Sequence, residues 1–344
     1  MKGFNLNLIS KYRAELMGLS ILWIWFLHMS VKFPFPISTV QSLGATGVDI
    51  FFFVSAVGLY YSLSKNEDVF QFYKRRVLRI IPTYLMIAIP YRICEYFSTE
   101  QSFVLKNFLS VIAKKVLLVE FWIENSASLW YIPAILVFYL FYPLFYKAFK
   151  TEKSLLFRVV ILVLFSVLAI GLNWALVHFE CARPTDRWLL RIPIFLLGCF
   201  TAPYIKGETR IKTNNAVWII WLLLVYAVFN FLNIKTGLLH YGNVMWSFIL
   251  NSLIAIPIMV LVPLVFEKLK LYKLKKVFSE IGKYTLEIYI LNEAALDFAR
   301  NQTQSKILID LISLAVTVLI MALIILCKKT GFLKRNKQKA YGNK

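Results

Sequence analysis

The sequence predicts an all-α membrane protein, a helical bundle of about ten transmembrane helices with both termini on the cytoplasmic side. Three observations carry that prediction. First, 59% of the 344 residues are hydrophobic and the mean hydropathy is +0.67. A water-soluble domain of this length would not carry so much apolar surface. Second, the apolar residues come in blocks of about 20, the helical length that crosses a hydrocarbon core of roughly 30 Å. Third, lysine and arginine outside the blocks alternate in density from loop to loop. With the N-terminus inside, and charges near the block ends counted with the adjoining segments, the inside segments hold 27 of them and the outside segments nine, and the remaining three, Arg92, Arg191 and Lys283, fall within blocks. This is the positive-inside pattern. The net charge of +21 therefore reflects topology and attraction to anionic lipid, and not nucleic-acid binding.

The ten blocks run over 14–32, 44–64, 80–97, 129–149, 155–179, 188–206, 216–234, 244–266, 279–297 and 305–327. The first carries a histidine and is followed by no small-residue cleavage site, so it reads as a retained span and not a signal peptide. Between the third and fourth blocks, Phe103 to Trp122 is amphipathic and holds Lys106, Lys114 and Lys115. It is expected to lie at the interface or fold back into the protein. Residues 1–330 then form one transmembrane domain, and 331–344 a basic cytoplasmic tail. Cys94, Cys181, Cys199 and Cys327 lack metal-ligand spacing, so they read as ordinary apolar residues and no metal is expected.

Ionisable groups at membrane depth cost at least a few kcal/mol each, so they face a protein interior or a watery cavity. On the alternating topology, His28 falls about one turn below the outer interface, and Asp49 at a similar depth on the next helix. Arg92, Arg191, Asn292 and Glu293 reach the same half of the membrane, where Trp130 and Tyr131 open the fourth span. A polar chamber opening outward follows, with His28 oriented by Asp49 as a general-base pair. The other reading is that each charge pairs with another and merely holds the bundle together. On the inner side, Arg75, Arg76 and Arg79 share one helix face. Guanidinium forks there suit phosphate oxygens. The other reading is a positive-inside anchor to lipid headgroups.

The motifs form a series. They are Glu15-Leu16-Met17-Gly18-Leu19 with Phe26-Leu27-His28; Gly47-Val48-Asp49-Ile50-Phe51-Phe52-Phe53-Val54-Ser55; and Arg75-Arg76-Val77-Leu78-Arg79-Ile80-Ile81-Pro82. Then come Leu129-Trp130-Tyr131 with Tyr139 and Pro143; Arg191-Ile192-Pro193-Ile194-Phe195 with Gly198; and Ile281-Gly282-Lys283-Tyr284-Thr285-Leu286-Glu287-Ile288-Tyr289. In this order the chain resembles the acyltransferase-3 family of integral membrane acyltransferases across nearly its whole length. The resemblance implies ten core helices in the cell membrane that move an acyl group, usually acetyl from acetyl-CoA, to a sugar hydroxyl. The implied acceptor is a cell-surface polysaccharide or its lipid-linked precursor. It implies His28 as the catalytic residue, and a link between Arg75, Arg76 and Arg79 and activity. Trp130, Tyr131, Arg191 and Asn292 are the candidate acceptor-binding residues. The chain departs from the family at three places. Met17 stands where an arginine is common, with Arg13 one turn earlier as its candidate substitute. Ala56 replaces a glycine, and Asn292 a histidine. A transporter or flippase of lipid-linked sugar is the rival expectation, since ten spans with buried charges suit it too. Residues 1–170 and 171–344 show no convincing internal repeat in its support.

Overall fold

A computed structural model describes residues 3–99, 103–123, 129–179, 185–235, 244–269 and 271–329. In chain order its helices are α1 (Asn7–Lys11), α2 (Arg13–His28), α3 (Ile37–Ser42), α4 (Thr46–Lys65), α5 (Val69–Thr99), α6 (Leu105–Val116), α7 (Glu120–Ile123) and α8 (Tyr131–Ala148). They continue with α9 (Leu155–His178), α10 (Thr185–Leu189), α11 (Ile192–Lys206), α12 (Asn215–Lys235), α13 (Val244–Lys268), α14 (Tyr272–Gly282), α15 (Thr285–Gln302) and α16 (Lys306–Lys329). The two-residue strands Phe4–Asn5 and Arg210–Ile211 pair antiparallel. The architecture is the expected all-α one. The basic tail 331–344, Cys181 and Arg183 lie outside the described residues.

Among the described residues, seven helices are long and apolar enough to cross a membrane: Ile37–Lys65, Val69–Phe97, Tyr131–Ala148, Leu155–His178, Arg187–Lys206, Phe248–Lys268 and Lys306–Cys327. They answer to seven of the ten blocks. The first block is shorter than expected because α2 ends at His28, ahead of a segment carrying Pro34 and Pro36. The seventh is α12, whose described apolar part is Asn215–Phe229. The ninth is broken in two, between α14 and α15. Gly282 ends α14 where its backbone crosses that of Ala14, leaving no room for a side chain. After the break, α15 carries Glu287, Glu293, Asp297 and Arg300, too many charges for an apolar span. The amphipathic stretch becomes α6, of 12 residues, followed by the single turn α7.

The chain divides into two compact units. The first comprises residues 1–28, 33–82 and 117–285, and the second residues 29–32, 83–116 and 286–344. In the first unit α4 is the hub, packed by α2, α8, α11 and α13. Lipid tails are as apolar as leucine, so helices associate in a membrane through close packing and not through water release. Small residues supply that closeness. A Cβ on Gly198 of α11 would lie 2.7 Å from the Phe53 carbonyl oxygen, and one on Gly47 of α4 would lie 2.6 Å from that of Ser20. Phe52, Phe138, Phe195 and Tyr142 interlock beside this contact, with the Phe138 and Phe195 ring centroids 4.3 Å apart. The Tyr142 hydroxyl donates to the Ala56 carbonyl at 2.8 Å.

In the second unit, Tyr96, Phe97, Phe103 and Phe108 cluster where α5 meets α6. The Tyr84 hydroxyl donates to the Lys115 carbonyl at 2.9 Å. Leu296 and Ala299 of α15 pack against Ile309 of α16.

Candidate active site

α4 begins with the sequence Thr46-Gly47-Val48-Asp49, so its single carboxylate sits in the first turn of an otherwise apolar helix. Asp49 is wholly buried, and so is Arg191 at the N-cap of α11. Arg191 Nε stands 3.2 Å from Asp49 Oδ1. The Ser252 hydroxyl of α13 donates to the same oxygen at 2.9 Å. The Arg191 guanidinium lies 4.2 Å from the Phe248 ring centroid. One residue along α13, Asn251 accepts from the Thr46 hydroxyl at 3.1 Å. Three helices far apart in sequence are thus tied at one buried polar node.

This corrects the expected pairing of Asp49 with His28. The partners of Asp49 are Arg191 and Ser252. The depths also differ. Gly44 packs against Trp23 and Leu27, and Gly47 against Ser20 and Ile24. That antiparallel register puts Asp49 level with the middle of α2, about eight residues or roughly 12 Å along the axis from His28 at its end. The expectation placed the start of the second span near Gly44, whereas the apolar helical run begins at Ile37, so Asp49 lies deeper than the loop length suggested. Arg92 belongs to the second unit, where it bonds Glu95 at 2.6 Å. Asn292, buried with its Oδ1 accepting no hydrogen bond among the described residues, is in that unit too, as is Glu293.

His28 is half-buried at the last position of α2. The carbonyl of Phe26, in the final helical turn, accepts from Gln41 Nε2 at 3.1 Å. The Trp23 indole donates to the Val40 carbonyl at 2.8 Å, so α3 braces the same helix end.

The basic run forms a second constellation. α5 is helical from Val69 onward, so Arg75, Arg76 and Arg79 share a face as expected. Arg76 Nη2 donates to Ser62 Oγ of α4 at 2.9 Å, its guanidinium stacks over Phe72, and its Nε has no hydrogen-bond partner among the described residues. Arg13 joins this group from α2. A Cβ on Gly58 would lie 2.6 Å from its guanidinium, so the missing side chain of Gly58 is the space that guanidinium occupies. Its electrostatic neighbours are Arg79, Tyr139, Arg76 and Tyr131. Among the described residues, none of Arg13, Arg75, Arg76 and Arg79 makes an ion pair with a carboxylate. Glu267, a carboxylate near the start of α2, is taken by Lys11 at 2.9 Å and by the Tyr12 hydroxyl at 2.5 Å. Burial first, and Glu267 second, push the Tyr12 pKa upward, so Tyr12 remains a donor.

Tyr131 turns inward. Its hydroxyl hydrogen-bonds with that of Ser55, and its ring packs 5.1 Å from that of Phe52, which also meets Trp130 at 6.2 Å. Of the expected acceptor-binding residues, Tyr131 therefore lies with the arginines, Arg191 with Asp49, and Asn292 in the other unit. A cavity of about 450 Å³ opens between α5 and α8. Arg76, Tyr73 and Tyr139 line it together with Leu118, Leu136 and Trp122. Arg76 and Tyr139 are shared between this cavity and the arginine group.

Sequence reasoning missed Ser252, Asn251, Ser62 and Gly58. Each is a small or polar residue unremarkable in its own span, and only the helix packing gives it a partner. Arg13 was legible as a substitute for the residue at Met17, but its seat against Gly58 was not.

The acyltransferase-domain model of the acyltransferase-3 family matches residues 16–327. A protein of Acidianus two-tailed virus named "Putative acetyltransferase ORF330" is 22% identical over 279 residues, which cover 71% of this chain and 84% of that protein. No solved structure matches. The match takes in Asp49, Arg191 and Ser252, the basic run Arg75, Arg76 and Arg79, and His28, and the chain belongs to the acyltransferase-3 family of membrane acyltransferases.

Proposed function

We propose that the protein is an O-acetyltransferase of the cell membrane. It moves acetyl from acetyl-CoA to a sugar hydroxyl of a cell-surface polysaccharide or its lipid-linked precursor. One observation carries the reading: arginines from two helices, Arg13, Arg76 and Arg79, converge beside a cavity, and among the described residues none of them is paired with a carboxylate. Uncompensated guanidinium groups half-sheltered in a membrane protein are costly. A polyphosphate ligand offsets that cost, and the phosphates of coenzyme A supply it. The cavity beside Arg76 and Tyr139 gives room for the slim pantetheine arm.

His28 is the base. Its neutral imidazole takes the proton from the acceptor hydroxyl as the oxygen attacks the thioester carbonyl. The tetrahedral intermediate collapses, the C–S bond breaks, and the thiolate of coenzyme A leaves and is protonated. Proton transfer of this kind contributes about 10²–10⁴-fold. Asp49 holds Arg191 in this scheme and has no part in orienting His28. Trp130 and Tyr131 offer aromatic faces for the sugar near the arginine group. The test is direct. Purified protein in lipid nanodiscs receives radiolabelled acetyl-CoA and cell-envelope glycan. Label should appear on glycan as a base-labile ester, with one thiol released per ester. Label that stays with coenzyme A in folded, monodisperse preparations sinks the reading.

A further inference from the structure

We propose that Asp310 is a positioning residue for the reaction, acting through His28. The proposal rests on His28 as the base. Helix α2 stops at His28, and the polar groups around a helix end need partners. Just past the histidine, two successive backbone N–H groups point at one carboxylate. Ser30 N donates to Asp310 Oδ1 at 2.7 Å, and Val31 N to Asp310 Oδ2 at 3.0 Å. Lys32 Nζ donates to the Met29 carbonyl at 3.0 Å, and its ammonium is within electrostatic reach of Asp310. Asp310 is buried in α16, a membrane-length helix that carries no other carboxylate.

A buried carboxylate in such a helix is expensive, and one hydrogen bond would not offset it. Here each oxygen receives one charge-assisted bond from an adjacent peptide. Two parallel bonds to consecutive amides restrain the peptide planes between Met29 and Val31, which limits the movement of the backbone that follows His28. On the other side of the histidine, the buried Gln41 side chain holds the Phe26 carbonyl. His28 therefore stands between two anchored stretches of backbone. A base displaced by about 1 Å can lose on the order of 10²-fold in rate, so anchoring of this kind matters to proton transfer.

The experiment uses the full chain in nanodiscs and compares Asp310→Ala, Asp310→Asn, His28→Ala and the Asp310→Ala/His28→Ala double variant, each normalised to folded protein. Asp310→Ala should lower kcat about 10- to 100-fold while donor KM stays within about twofold. Asp310→Asn keeps the size and one acceptor oxygen. It should recover part of that loss, and it decides the matter if the alanine variant does not accumulate. In the His28→Ala background, Asp310→Ala should cost nothing further, because residues acting through one group are not additive. If His28→Ala is inactive while both Asp310 variants keep wild-type kcat, the positioning role is overturned. It is also overturned if the losses at His28 and Asp310 multiply. Wild-type transfer by His28→Ala instead removes the base assignment itself, a separate and recognisable failure.

Discussion

Asp49 and Arg191 form a buried ion pair, with Oδ1 3.2 Å from Nε and neither side chain reaching the surface. Ser252 donates to the same carboxylate oxygen, and Phe248 stacks against the guanidinium. Both charges are thus compensated within the first unit by residues of α4, α11 and α13. The second oxygen of Asp49, Oδ2, accepts no hydrogen bond among the described residues, but the register of α2 against α4 sets His28 roughly 12 Å along the axis, out of its reach. The contacts of Asp49 join α4, α11 and α13 at a buried level.

The consequence is a stability phenotype. Removing one partner of a buried pair leaves an uncompensated charge and costs about 3–5 kcal/mol. Asp49→Ala and Arg191→Met should each lower the thermal unfolding midpoint and the yield of monodisperse protein. Turnover per folded molecule should fall far less than yield. The double variant should be closer to wild type than either single one. Unfolding followed by size-exclusion chromatography after heating reads this. Single variants with wild-type stability and abolished turnover would return Asp49 to the catalytic machinery.

The special status of Asp49 is legible in the sequence, since a carboxylate heading an apolar run needs a partner. Which partner it takes is not. Ser252 lies 203 residues away, on a helix whose order around α4 no periodicity encodes. The depth argument failed for a related reason, because Gly44 and Gly47 look like the start of a span and are in fact contact points within one. The shared face of Arg75, Arg76 and Arg79 follows from helical spacing alone and holds. Asp310 stands in the last apolar block, and its ligands are backbone amides, which carry no side-chain signature.

His28→Ala should leave folding intact, because the half-buried imidazole stands at the end of a helix whose last turn is held by Gln41. Transfer should drop by about 10²–10⁴-fold at unchanged donor affinity. The kinetics of acetyl transfer, with donor binding measured separately, check both halves of the statement.

Two glycine-to-alanine changes should behave differently for a steric reason. In Gly58→Ala the new methyl meets the far end of the flexible Arg13 side chain, which can move aside. The protein should fold, and donor KM should rise about tenfold, the scale of one weakened charged hydrogen bond. In Gly198→Ala the methyl meets the Phe53 backbone and the Ala56 Cβ where α11 packs closely on α4. That variant should lose stability by about 1–3 kcal/mol through overpacking. Equal effects on KM from both changes would dissociate Arg13 from the donor site.

Arg79→Lys separates a donor site from a lipid anchor. Arg79 is exposed on α5, on the face it shares with Arg76, and lies among the electrostatic neighbours of Arg13. Lysine keeps the positive charge, so insertion and orientation should be unchanged. It loses the planar fork that meets two phosphate oxygens at once. A hydrogen bond to a charged group contributes about 1.5–3 kcal/mol, so apparent donor affinity should fall roughly ten- to hundredfold. Turnover at saturating acetyl-CoA should persist, because His28 is untouched. Arg76→Lys should do more, since Arg76 also holds Ser62 and lines the cavity beside Tyr139. An anchor needs only charge, so wild-type donor affinity in both lysine variants would place the coenzyme elsewhere. The basic segment from Lys268 to Lys276 would then be the next surface to test.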